Sequence, residues 1–110
     1  MRDKYEFLYQ GDHGDYAVQF SREGNNLSAR CTCPAGQVGQ YCKHRFAIIR
    51  GETQQILSDN AAEVADIKEL VAGTDVEAAM NEVIEAEEFL ESAKQELMGK
   101  KKKLARAMNN

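Results

Sequence analysis

Large hydrophobic residues alternate with polar ones through the first third of the chain, and the period then changes. Tyr5-Glu6-Phe7-Leu8-Tyr9 is aromatic-rich and runs into Gly11-Asp12-His13-Gly14-Asp15, a cluster of turn formers. In Tyr16-Ala17-Val18-Gln19-Phe20, Tyr16, Val18 and Phe20 fall on one face of an extended strand. Glu23-Gly24-Asn25-Asn26 turns the chain again, and Leu27 to Cys33 reads as a third strand that Pro34 and Gly36 end. The simplest topology for these segments is an antiparallel three-stranded meander.

After residue 44 the spacing of apolar residues becomes helical. Phe46-Ala47-Ile48-Ile49 predicts a helix that breaks near Gly51 and resumes over Gln54-Gln55-Ile56-Leu57. Asn60 with Glu63 resembles a capping box, followed by Ala61, Val64, Ile67, Leu70 and Val71 at helical spacing, with Gly73 as terminator. Thr74 with Glu77 is a second capping box, opening a helix that reaches about Ala107. The expectation is an α+β chain: a small antiparallel three-stranded sheet, then an αα-hairpin with a long second helix. Residues 1–50 are expected to form the compact head and 51–110 a helical extension.

The long helix carries a second regularity. Val76, Val83, Leu90, Leu97 and Leu104 are seven apart without a gap, and Ala79, Ala86, Ala93 and Ala107 follow three residues later, Lys100 being the exception. A strict seven-residue repeat places these side chains on a slowly winding stripe that another helix can cover. A helix over 61–72 spans only ~18 Å, against ~42 Å for the stripe from Val76 to Leu104. The segment 75–107 is therefore expected to be a coiled coil. Its partner is expected to be a second copy in a homodimer or another protein.

The chemistry is concentrated in residues 31–44, CTCPAGQVGQYCKH. Cys31 and Cys33 project from the same face of an extended strand, with Thr32 turned away. Cys42 and His44 stand ~200° apart around a regular helix, so both serve one site only if Cys42 precedes the helix and His44 lies in its first turn. These four residues are the donor set of one tetrahedral zinc ion. They use every cysteine in the chain, whereas a disulfide would leave an odd thiol. Three thiolates, a neutral imidazole and Zn2+ sum to −1, which Arg30, Lys43 and Arg45 are placed to offset. A β-unit of roughly 45 residues is near the size at which a core alone stops sufficing, so a structural role for the metal is expected.

The pattern Cys-x-Cys, a loop, then Cys-x-His resembles the SWIM zinc finger. Pro34 after the second cysteine, Lys43 between the last two ligands, and the apolar Phe46, Ala47, Ile48 and Ile49 that follow support the resemblance, which covers about residues 15–50. It implies a β-β-β-α unit whose zinc is structural, and a role in DNA binding or protein–protein contact. The fingers of this family accompany helicase-like ATPases, transposases, recombination accessory proteins and ubiquitin-ligase-like proteins. The C-terminal helices lie outside the resemblance and inherit nothing from it.

Charge bears on the partner. Residues 1–50 hold seven basic residues against five acids, and residues 51–110 seven against thirteen, which gives the net −4. Nucleic-acid candidates are Arg22, Arg30, Lys43, Arg45 and Arg50 around the finger and Lys100, Lys101, Lys102 and Lys103 with Arg106 near the end. The acidic run from Glu77 to Glu96 opposes a phosphate backbone, and could instead face the basic end of a second helix. His13, in a Gly/Asp turn, is expected to be a solvated surface residue. Cys42 with His44 as a catalytic pair carries little weight at two residues' separation, and a closed metal site has no position for water, so no enzyme and no small-molecule substrate are expected. No apolar run reaches the ~18 residues that cross a bilayer. The first residues lack the apolar stretch of a secretory signal, so a cytoplasmic setting is expected. The leading expectation is a non-enzymatic zinc-binding protein-interaction adaptor or small regulator; the second is a DNA- or RNA-binding accessory module.

Overall fold

Alternation and turn residues do set the sheet. The structure, a computed structural model, describes residues 2–109. β1 (Lys4–Gln10), β2 (Asp15–Glu23) and β3 (Asn26–Cys31) form an antiparallel sheet in the order β1-β2-β3. Tyr5 pairs with Phe20, Phe7 with Val18 and Tyr9 with Tyr16, while Val18 also pairs with Cys31. Side chains paired across a ladder share a face. One face therefore carries Tyr5, Phe7, Tyr9, Val18, Phe20 and Cys31, all buried, and Glu6, Gln10 and Gln19 point to solvent.

Four helices follow: α1 (Pro34–Gln37), α2 (Lys43–Ile49), α3 (Val64–Val71), which is entered through a 3-10 turn at Ala61–Glu63, and α4 (Asp75–Met108). Ala47 and Ile48 of α2 and Val64, Ile67, Leu70 and Val71 of α3 complete one buried cluster with the sheet face. This cluster continues well past residue 50. Two compact units result, Met1–Glu77 and Ala78–Asn110. As far as Met108 the second is the continuing α4, no residue of which is buried.

Two local expectations are corrected. Residues 54–57 are not helical. The N–H of Gln10 donates to the carbonyl of Gln55 at 2.7 Å, that of Leu57 to the carbonyl of Leu8 at 2.8 Å, and Tyr9 and Ile56 form an isolated antiparallel bridge. β1 is an edge strand, and pairing its open backbone outweighs one costly helical turn. Asn60 and Glu63 do not form a capping box either. The Asn60 amide donates to the Glu6 carbonyl (2.8 Å) and the Glu63 carboxylate (3.0 Å), tying the entry of α3 to β1.

The start of α4 is closer to expectation. Glu77 N–H donates to Thr74 Oγ1 at 3.4 Å, but the Glu77 carboxylate accepts from Gly73 N–H, one residue earlier than the reciprocal box requires. Gly73, at φ +79°, supplies the left-handed residue that ends α3. Among the described residues no helix is long and apolar enough to cross a membrane.

Candidate metal centre

Three chain segments converge on the donor set: the end of β3, the cap of α1 and the start of α2. Cys31 is the last residue of β3. Beyond it, Thr32 N–H donates to the Ala17 carbonyl (3.1 Å) and Ala17 N–H donates to Thr32 Oγ1 (3.0 Å), so the chain stays extended for one more residue. Cys33 is thereby returned to the buried face, as the two-residue period requires. Its backbone (φ −65°, ψ 161°) is that of a helix N-cap, Pro34 begins α1, and Gly36 N–H donates to Cys33 Sγ at 3.3 Å. A Cβ on Gly36 would collide with the carbonyl oxygen of Cys31, so the spacer folds back only with glycine there. Cys42 is extended (φ −132°, ψ 117°) and caps α2 without a side-chain cap bond, and His44 is the second residue of that helix. The expected loop-to-helix placement of this pair holds.

The donor atoms of Cys31, Cys33, Cys42 and His44 all lie within 4.8 Å of one another, and all four residues are buried. Cys33 Sγ is 3.4 Å from Cys42 Sγ, while His44 Nδ1 is 3.7 Å from Cys31 Sγ and 3.5 Å from Cys42 Sγ. A zinc tetrahedron with bonds of ~2.3 Å to sulfur and ~2.0 Å to nitrogen has edges of about 3.8 Å between sulfurs and about 3.5 Å from sulfur to nitrogen. The three edges given match these to within about 0.4 Å, and no two donor atoms are more than 4.8 Å apart. All three cysteines are free thiols, not a disulfide with one over. Donor type, number and spacing fit one structural zinc ion, with Nδ1 as the imidazole donor.

Burial is the first influence on the electrostatics of the donor set. Burial pushes the Cys31 thiol up to about 12, reinforced by the Cys33 and Cys42 side chains. Burial also acts to raise Cys33, but the Gly36 amide and the two neighbouring thiols outweigh it and its value falls below the ordinary 9.0. His44 is lowered from 6.5, by burial first and then by Lys43, with Asp12 opposing. A neutral imidazole is the form a metal needs. Its ring is flanked by Tyr9 and Tyr16, with centroids 5.0 and 5.1 Å away. Sequence reading gave these tyrosines no place in the site, although their ladder partnership follows from the alternation of β1 and β2.

The remaining candidates fall elsewhere. Arg45 donates to the carbonyls of Ala29 (2.9 Å) and Gln40 (2.6 Å), tying β3 and the spacer to α2. Lys43 is paired with Asp12 at 2.7 Å across an exposed gap. Arg22 donates through Nη1 to the carbonyls of Leu70 (3.0 Å) and Ala72 (2.9 Å), closing the end of α3. Arg50 lies over the Phe46 ring, 4.5 Å from its centroid. Arg30 is exposed, as are Lys101, Lys102 and Lys103, while Lys100 pairs with Glu96 at 3.4 Å. His13 is exposed and outside the cluster. Val76 is partly buried and packs against the core of the first unit, unlike the other residues of its heptad series. Val83, Leu90, Leu97 and Leu104 are 37, 54, 53 and 55% exposed.

A three-stranded sheet holding a Cys3His donor set at the mouth of a short helix defines a structural zinc-finger unit. Residues 16–50 match the family described as SWIM zinc finger, and the four clustered residues supply its Cys-x-Cys…Cys-x-His pattern. The matched segment is the finger itself; α3 and α4 lie outside it. Comparisons with curated proteins and with solved structures give no match.

Proposed function

We propose that this chain is a non-enzymatic interaction module, in which zinc fixes a small rigid head and the long helix supplies the docking surface. The observation that carries the reading is the exposure of Val83, Leu90, Leu97 and Leu104, a continuous apolar seam on a 34-residue helix without a buried position. Isolated surface leucines are ordinary, but a regular seam of them is a surface to be covered. The four-donor set supports the absence of catalysis, because a structural zinc takes four ligands and a hydrolytic one keeps a position for water. Three unpaired thiols suit a reducing, intracellular setting. The competing reading is a nucleic-acid accessory module. Of its candidate residues near the finger, Arg22 and Arg45 are spent on backbone carbonyls and Lys43 on Asp12, which weakens that footprint.

The test compares the full zinc-loaded chain with a Leu90→Glu, Leu97→Glu variant. Association with any protein, itself included, is expected to be lost in the variant while zinc content stays the same. Retention on duplex DNA at low salt, falling steeply as salt is raised and unaffected by the two substitutions, would replace this reading with the nucleic-acid one.

A further inference from the structure

The charge along α4 is divided end to end. Residues 78–91 contain five glutamates and no basic residue; residues 92–109 contain six basic residues and one glutamate, so the halves carry −5 and +5. From these halves and the exposed seam we infer that the helix pairs with a second copy of this chain, laid antiparallel over residues 78–105. The inference rests on the interaction-module reading and adds the partner and its direction.

Antiparallel alignment brings each acidic half against a basic half, which like-directed helices do not. It also sorts the seam. With residue i of one copy opposite residue 183 − i of the other, Ala79 faces Leu104, Ala86 faces Leu97 and Ala93 faces Leu90. Each of these layers holds one large and one small side chain, so the helices keep an even separation along the seam. Like-directed helices would instead alternate layers of two leucines with layers of two alanines, leaving gaps at the small layers. They would also set Lys100 against its own counterpart, whereas the antiparallel register gives it Val83 and a route along the seam edge to acidic neighbours.

The flanking positions agree. In antiparallel pairing the residues just outside the seam meet their own kind of position on the second copy. Glu82 then faces Lys103, and Glu87 faces Lys94, each contact occurring twice by symmetry. In the like-directed arrangement Glu82 faces Glu87. The chain's own α3, eight residues long, spans ~12 Å, against ~32 Å between the levels of Val83 and Leu104.

Sedimentation equilibrium of the full zinc-loaded chain at low salt reads this directly. The unmodified chain is expected to be a dimer. Glu82→Lys and Lys103→Glu each turn two attractions into two repulsions, and each is expected to weaken dimerisation by about 10-fold. An equimolar mixture of the two variants restores the pairing in both contacts and is expected to recover a heterodimer near the original affinity. That recovery also shows that both variants are folded. A monomeric unmodified chain overturns the inference; if Leu90 and Leu97 are still needed to bind a different protein, the broader reading stands without it. Tighter dimerisation by Glu82→Lys with no effect of Lys103→Glu overturns it in favour of like-directed helices.

Discussion

Removing the metal should unfold the first unit and leave much of α4 helical. The cluster joins the end of β3, the cap of α1 and the first turn of α2, so its loss frees the spacer and the helix that completes the core. Structural zinc contributes an apparent ~10–16 kcal/mol in small domains at neutral pH. A unit of 77 residues has a total stability of about 4–12 kcal/mol at ~0.05–0.15 kcal/mol per residue. The metal's contribution is comparable to or larger than the whole stability of the unit, and the apo unit should not fold cooperatively. α4 holds 34 α-helical residues, against 4, 7 and 8 in α1, α2 and α3. If α4 alone survives, the far-ultraviolet helical signal should fall to at most about two-thirds of its starting value. The near-ultraviolet signal of the buried Tyr5, Phe7, Tyr9 and Phe20 should disappear. The assay is circular dichroism during chelator titration, with residual zinc measured at each point. An unchanged near-ultraviolet spectrum and melting curve in protein shown to be metal-free would refute the reasoning, because the apolar cluster would then hold the unit by itself.

Three further outcomes follow from particular contacts. Gly36→Ala forces a methyl group against the Cys31 carbonyl, so zinc affinity measured by chelator competition should fall by about 10-fold or more. Arg22→Ala leaves the Leu70 and Ala72 carbonyls without their guanidinium donor and should cost about 1–3 kcal/mol in denaturant unfolding without altering zinc content. The zinc-loaded protein should release its metal and melt earlier as pH falls, because the thiolates and the His44 imidazole, which must stay neutral to bind, take up protons in competition with zinc. Zinc holds the thiolates already deprotonated, so the loaded protein should show only the acid limb in a pH series of melting temperatures.

The sheet, the donor set and the boundary position of Cys42 were legible in the sequence because each depends on local rules. Period-two alternation sets the faces of β1 and β2, and the geometry of a helix excludes two donors at Cys42 and His44 from mid-helix. What was not legible depends on where distant backbone ends up. Residues 54–57 have a fair helical pattern, and only the proximity of the open β1 edge makes them extended. Arg22 and Arg45 read as basic surface residues, since nothing in their neighbours along the chain reveals that backbone carbonyls of α3, β3 and the spacer lie within reach. Helix α1 did leave a signal, a proline after a capping cysteine, but four residues are too few to show a period. The heptad stripe was visible throughout, whereas the recruitment of Val76 into the core of the first unit was not.

The first unit depends on zinc held by these four side chains. Elemental analysis of the gently purified chain measures that zinc most directly, alongside Cys42→Ser and His13→Ala variants. One zinc per chain is expected in the unmodified protein and in His13→Ala, and a large loss in Cys42→Ser. Protein purified without zinc, or zinc that depends on His13 and not on Cys42, would contradict the central claim.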